Sequence, residues 1–376
     1  MTNTTALTRL TLTDFRNYAG LRLDMSAPVI ALTGHNGAGK TNLLEAISLL
    51  APGRGLRGVG FDELARQGGA ETWAIASELG TTSGPVSLGT GWSGLGEATA
   101  QTRLVLIDGQ VQRSSNALGQ YMRILWLTPA MDRLFAGPAS DRRRFLDRMV
   151  AAFDPEHGSR VAVFERVMRE RNLLLEDPRS DPAWLGSLEA HMAEAAVAIA
   201  AARLMATEAL QHHINDGRAS SAFPWGEIAI AGEIEGQLAD HPALRIEDEY
   251  RTMLADSRKI DRAAGRTLRG PHRSDLIVTH GPKNMPADLC STGEQKALLI
   301  GLILAQARAV KAEARHAPLL LLDEVAAHLD AARRASLFES LSAIGCQSWM
   351  TGTDAELFEK AHVAVFHVEA GRISER

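Results

Sequence analysis

Three short stretches of this chain carry residue types that can hold phosphate and break a phosphate bond. The first, GHNGAGKT at 34–41, fits G-x-x-x-x-G-K-[ST] in full. In that pattern the glycines let backbone N–H groups wrap an anion, a role expected of Gly34, Gly37, Ala38, Gly39 and Asn42. Lys40 brings a cation to the terminal phosphate oxygens, and Thr41 offers a hydroxyl to Mg²⁺. The second stretch, LLLLDE at 319–324, sets two carboxylates after four leucines, at the end of a buried strand. Asp323 is expected to hold Mg²⁺ through water, and Glu324 to act as general base on the attacking water. Glu324 and Lys40 are therefore the expected catalytic pair. The third is CSTGEQ at 290–295, where Ser291, Thr292 and Gly293 precede a helix starting near Glu294. Free N–H groups at such a helix start suit an anion, and an ordinary N-cap explains them equally well. The peptide contains no lysine, so it reads as a supplement to another phosphate site.

The elements that must position these residues follow from periodicity. Leu10 and Leu12 alternate with threonines, and Leu21, Leu23 and Met25 with Arg22 and Asp24, which predicts a hairpin around DFRNYAG. PVIALTG at 28–34 is a buried strand that feeds the first motif, and NLLEAISLL is the helix after it. Short strands continue through 71–113, with an Asp108-Gly109 turn, to ILWL at 124–127. The pattern then turns helical. Val161, Phe164, Met168 and Leu175 form one stripe. Beyond the loop EDPRSDP, Leu185, Leu188, Met192, Ala195, Ile199 and Ala202 form a heptad seam. These helices predict a stubby antiparallel arm about 45 Å long, or a plain bundle, and periodicity does not choose between them. Strand patterns resume at SDLIVTH (274–280) and continue to the C-terminal HVAVFHVEAGRI. An α/β head, 1–128 and 266–376, is therefore expected to be split by a helical domain at 129–265.

With 376 residues, 45% hydrophobic and 23% charged, the chain has ample material for a core. Its net charge of −5 leaves nucleic-acid contact to local patches. One patch at 141–148 holds Arg142, Arg143, Arg144 and Arg148 against two aspartates. Another at 257–273 holds six cations against Asp261, among them Arg262, Arg266, Arg269 and Arg273. A solvated helix face is the usual meaning of such runs, and sequence-independent contact with duplex phosphates is the functional one. Two cysteines, Cys290 and Cys346, provide no disulfide framework and no paired-cysteine metal motif. The N-terminal stretch lacks the layout of a signal peptide, and no run of about 18 apolar residues occurs. A cytoplasmic protein without membrane partners is expected. His212-His213 reads as a helix surface, and Trp126 and Trp184 as core residues.

The order of the three motifs, with a long insertion between the first and third, resembles the ABC-type ATPases, whose signature peptide is close to L-S-G-G-Q. In those proteins the signature of one head clamps nucleotide bound to another, so the second phosphate grip would serve a partner. LTDFRNY (12–18), TGHNGAGKTNLLEAI (33–47), GPASDRRRFLD (137–147), RGPHRSD (269–275), STGEQKALLIGLILAQA (291–307) and LLLLDEVAAHLD (319–330) narrow the resemblance to the RecF family, relatives of the Rad50 and SMC ATPases. The fold class implied is α/β, an ABC-type (Rad50/SMC-like) P-loop ATPase head with an inserted helical arm domain. By the same resemblance, Arg16, Asn17 and Asn36 lie where nucleotide phosphate is contacted. Ser291, Gly293 and Glu294 act in trans, and Asp330 sits at the dimer interface.

ATP and Mg²⁺ are the implied cofactors. The implied activity is a weak, DNA-stimulated ATPase that forms an ATP-dependent homodimer on double-stranded and gapped DNA, favouring single-/double-strand junctions. With RecO and RecR it would promote RecA loading in recombinational repair and fork recovery, slow hydrolysis resetting it. The sequence departs from the ABC pattern at Thr292 (for glycine), Glu294 (for glutamine) and Thr353 (for the switch histidine). Ser274 stands where an acid is expected. The rival expectation is the ATPase subunit of an ABC transporter.

Overall fold

The computed structural model describes residues 5–94, 103–218, 221–314, 316–358 and 363–375. In chain order, β1 (Ala6–Phe15), β2 (Tyr18–Asp24), β3 (Val29–Thr33) and α1 (Lys40–Ser48) come first. Next are β4 (Thr72–Thr81), β5 (Gly84–Ser93), β6 (Leu104–Ile107), β7 (Gln110–Val111) and β8 (Ile124–Leu127). The helical segment holds α2 (Ala139–Ala151), α3 (His157–Glu176) and α4 (Pro182–Asp216), then β9 (Gly226–Ala231), α5 (Glu233–Leu238) and α6 (Ala243–Ala264). After β10 (Asp275–His280), β11 (Met285–Pro286) and α7 (Thr292–Ala314), the chain closes with β12 (Leu319–Leu322), α8 (Ala331–Ile344), β13 (Ser348–Gly352), β14 (Ala364–Glu369) and β15 (Arg372–Glu375).

These elements form two compact units. One comprises Met1–Asp132, Gly217–Pro224 and Lys296–Arg376, the other Arg133–Asp216 and Trp225–Gln295. The expected boundary at 266 is therefore moved: residues 266–295, signature peptide included, belong with the helical segment. The cause is strand pairing. β10 runs antiparallel to β9, Asp275 opposite Ala231 through His280 opposite Gly226, which ties the returning chain to the insertion. Nothing in the periodicity of either strand names its partner.

In the first unit, the hairpin strands join an antiparallel sheet ordered β2-β1-β4-β5-β6-β7. The second sheet is ordered β15-β14-β3-β13-β12-β8, parallel except for β15. Every residue of β3, β8, β12 and β13 is buried, which is why these strands read as apolar runs such as LLLL. Parallel register carries their C-terminal ends to one edge. Thr33 lies opposite Gly352 and Leu322 opposite Met350, so the residues following each strand emerge side by side.

In the second unit α3, α4 and α6 share one core, built from Phe164, Val167, Leu188, Met192, Ile199, Ile246, Tyr250 and Leu254 among others. The bundle alternative therefore holds in place of an isolated helix pair. α4 runs for 35 residues, about 52 Å at 1.5 Å each. Beneath that core, Arg171 is fully buried and donates to Glu189 (3.0 Å), Asp261 (2.8 Å), Thr267 (2.9 Å) and the Leu254 carbonyl (2.7 Å). Arg203, also buried, joins Asp147, Glu235 and the Pro271 carbonyl. The serine found where an acid was expected, Ser274, donates to Glu235 at 2.9 Å, and a carboxylate there would face a buried carboxylate. Trp126 is buried as expected, whereas Trp184 is 58% exposed, since it flanks the α4 seam instead of occupying it. His212 lies at the surface beside Asp216.

Candidate nucleotide site and signature peptide

The turn between β3 and α1 takes its shape from glycine. Gly34, Gly37 and Gly39 have φ of 139°, 81° and 117°, a region that L-residues rarely adopt. A Cβ at Gly34 would meet the Val368 carbonyl oxygen at 2.2 Å, and one at Gly39 the Asn17 amide nitrogen at 2.5 Å. Asn36 is exposed in this turn. Lys40 is buried, its ammonium donating to the Gly34 (2.6 Å) and His35 (2.9 Å) carbonyls. Burial lowers its pKa, and the charges of Glu324 and Asp323 partly offset that, which places both acids within electrostatic reach of the ammonium.

At the end of β12, buried Asp323 accepts from the Thr41 hydroxyl (3.0 and 3.2 Å to its two oxygens) and from the Thr351 hydroxyl (2.8 Å). Its pKa is raised, chiefly by burial and further by Glu324, against the lowering effect of those two hydroxyls. Glu324 follows in left-handed backbone geometry, φ 54°, and its N–H donates to Thr351 Oγ1 at 2.8 Å. A hydroxyl and a carboxylate 3 Å apart at the foot of the phosphate turn form a hard-oxygen donor pair that fits Mg²⁺. Among the described residues no group of three or more His, Cys, Asp or Glu could hold a metal.

The β1–β2 turn reaches the same place. Asn17 donates to the Ala38 carbonyl at 3.2 Å and accepts from Asn42 at 2.8 Å, and Tyr18 donates to the Gly39 carbonyl at 3.0 Å. Arg16, expected at phosphate, instead makes a two-pronged pair with buried Glu45 of α1 (2.8 and 3.0 Å) and donates to the Glu63 carbonyl. Arg57 shares Glu45 and also donates to Asn42. Glu45, Arg57 and Thr351 are not legible as site residues, because their roles depend on contacts made after folding. Tyr18, within DFRNY, and Glu45, within NLLEAI, lie in stretches that carry the resemblance, but nothing there assigns them a role. Asp330 caps α8 by accepting from the Arg333 N–H at 2.8 Å and is exposed. Thr353, just past β13, donates to Asp354 at the surface.

In the second unit, Ser291 and Glu294 form a reciprocal cap at the start of α7. The Glu294 N–H reaches Ser291 Oγ at 3.4 Å, and Glu294 accepts from the Ser291 N–H at 3.0 Å. Thr292 thus begins the helix, two residues earlier than expected, and Gly293 has open space around it. Lys283 pairs with Glu294. Together with the Ser291 contacts it holds that carboxylate down at about 2. A lysine is therefore beside the second grip, supplied by the turn before β11 and invisible within the peptide itself.

The arginine runs divide. Arg142 is committed to Asp275 (2.8 and 2.6 Å), Arg143 to the Ser274 carbonyl, Arg262 to the Leu175 carbonyl and Arg269 to Glu233. Arg144, Arg266 and Arg273 are exposed, Arg144 beside Asp141.

A buried parallel sheet that delivers a glycine phosphate turn, a paired serine/threonine–aspartate and a following glutamate to one edge, with a signature helix cap elsewhere in the chain, defines an SMC-type ATP-binding head. The family profile described as "RecF/RecN/SMC N terminal domain" matches residues 6–374. The DNA replication and repair protein RecF of Mesorhizobium japonicum is 51% identical over 94% of this chain and 93% of its own. That of Rhizobium leguminosarum bv. trifolii is 50% identical over the whole of both. Among solved structures, the recombination mediator protein RecF with ATP, of the RecFOR pathway, superposes with a TM-score of 0.85 at 21% identity, covering 100% of this chain and 99% of that one. The SMC head domain of Pyrococcus furiosus gives 0.53 at 15% identity, covering 99% and 96%. The chain belongs to the RecF family. That membership overturns the transporter alternative, and among the described residues no helix is long and apolar enough to cross a membrane.

Proposed function

We propose that this chain is an ATP-gated DNA-binding protein of recombinational repair, working in the cytoplasm as a weak ATPase with RecO and RecR as partners. Its full-length identity with RecF proteins supports the pathway. The observation that carries the mechanism is the linkage Thr41–Asp323–Thr351–Glu324 beneath a glycine turn that ends on Lys40. ATP phosphates enter the turn at Gly34, Asn36, Gly37, Ala38, Gly39 and Asn42. Lys40 exchanges two backbone carbonyls for phosphate oxygens, gaining a charged partner where it now has neutral ones. Thr41 and Asp323 would hold Mg²⁺, which offsets phosphate charge when bound. Glu324 orients water and accepts its proton. Arg16 and Asn17 brace the turn and α1.

Ser291 and Gly293 of a second copy complete the site at the terminal phosphate, with Asp330 at the same interface. ATP touching both copies stabilises the dimer by mass action, and hydrolysis removes the shared contact. With Thr353 in place of a switch histidine, one sensor of that phosphate is weakened, which favours slow turnover. Arg144, Arg266 and Arg273, exposed on the second unit, supply DNA-phosphate contact at gapped duplexes, doubled in the dimer.

The test is a titration of a fluorescent gapped duplex with the Glu324→Gln protein, with and without Mg-ATP, at two salt concentrations. ATP should produce tight, salt-sensitive binding that Ser291→Arg abolishes. Affinity unchanged by ATP and by Ser291→Arg would sink the clamp reading.

A further inference from the structure

We infer that Thr351, a residue with no assigned role, positions the hydrolytic acids: its single hydroxyl locks the magnesium-side aspartate and the backbone of the general base into one unit. The inference rests on the ATPase reading above. Thr351 is fully buried on β13. Because Leu322 lies opposite Met350, the next residue on each strand, Asp323 and Thr351, emerge opposite one another at the sheet edge. The Thr351 hydroxyl donates to Asp323 Oδ1 at 2.8 Å and accepts from the Glu324 N–H at 2.8 Å. A hydroxyl carries one proton, so the direction of both bonds is set: the carboxylate can only accept and the amide can only donate.

Two features make this contact more than core satisfaction. Glu324 is a non-glycine residue at φ 54°, a left-handed conformation that side chains disfavour and that persists where neighbours over-determine it. The hydrogen bond from the Glu324 N–H to Thr351 Oγ1 is a contact that acts directly on that backbone. Asp323 is in addition gripped from the other side by Thr41, the hydroxyl that would move to Mg²⁺. With Thr41 turned to Mg²⁺, Thr351 would remain the protein's hydroxyl on that carboxylate and would keep the aspartate oriented. The backbone of Asp323 is separately anchored, its N–H donating to the Leu127 carbonyl at 2.9 Å. The Thr351 hydroxyl therefore acts on the Asp323 side chain and on the Glu324 backbone, while its main chain pairs β13 with β3 opposite Leu32.

The experiment compares Thr351→Val, nearly isosteric without the hydroxyl, with Thr351→Ser, which restores it. Single-turnover hydrolysis, fluorescent-nucleotide affinity and residue-resolved amide exchange are measured on each. In the valine protein the hydrolysis rate should fall at least tenfold, with nucleotide Kd changed less than threefold. The Glu324 amide should exchange at least tenfold faster while the Asp323 amide does not, and serine should recover both. If valine folds poorly, Thr351→Ala, which cannot crowd the strand, carries the same expectations. Unchanged exchange at Glu324, unchanged hydrolysis, or equal loss of binding and hydrolysis would overturn the assignment. Failure of the unaltered chain to hydrolyse ATP would refute the ATPase reading instead. The exchange measurement tells the two failures apart, since it needs no turnover.

Discussion

Replacing Arg171 by leucine tests whether the signature peptide depends on a buried ion cluster. Arg171 has no exposed surface, and its partners Glu189 and Asp261 are 1% and 2% exposed. Removing one partner of such a buried set typically costs 3–5 kcal/mol, because the remaining charges stay out of water uncompensated. The lower end applies here. Glu189 keeps Arg258 at 3.0 Å, and Asp261 keeps the Ser257 hydroxyl at 2.8 Å and the Leu268 N–H at 3.1 Å. Leucine fills most of the vacated volume, so the cavity contribution is small. About 3 kcal/mol corresponds to roughly a hundredfold faster amide exchange wherever exchange requires the second unit to open.

Hydrogen exchange followed by mass spectrometry should show that acceleration in α4 and α6 while β3 is unchanged. Mg-ATP binding at the phosphate turn should survive, and ATP-dependent DNA binding should fall, because Ser291 is carried by the loosened unit. Acceleration below about fivefold, roughly 1 kcal/mol, would refute the energetic reasoning. Equal acceleration in β3 would refute an effect confined to the second unit. Adding Asp261→Asn should recover part of the loss, since it removes one of the stranded charges.

Two further outcomes follow from the same geometry. Gly34→Ala should destabilise the first unit by several kcal/mol, since its Cβ meets backbone at 2.2 Å, whereas Gly37→Ala, with open space at φ 81°, should cost only about 1–2 kcal/mol; thermal unfolding separates them. Lys283→Ala should raise the titration of Glu294 from about 2 toward the ordinary carboxylate range, read by carboxyl NMR. With the folded pKa depressed, the Glu294 contribution is complete above the unfolded value and is lost only as pH falls toward 2. ATP-dependent dimerisation should therefore show no acid limb from Glu294 between pH 5 and 8 in the unaltered protein (about neutral, the usual range of maximal stability).

Much of the site was readable in one dimension, because its chemistry is local. GHNGAGKT places glycines, lysine and threonine within one turn, where their spacing alone sets their geometry, and LLLLDE announces a doubly buried strand and the acids at its end. The signature cap was equally local: Ser291 and Glu294 are three residues apart, which is all a capping box needs. Contacts made across the sheet were not readable. Thr351 meets Asp323 only because β12 and β13 pair in one register. Arg16 finds Glu45 only because the β1–β2 turn folds onto α1. Lys283 reaches Glu294 through a turn eleven residues upstream, and residues 266–295 join the helical unit only because β10 pairs with β9. Alternation and apolar runs report how each element meets water, and water is indifferent to which strand lies beside which. So sequence determined the local turn, the strand-end acids, the cap and the element types, and tertiary structure decided which side chains share a charge, a proton or a boundary.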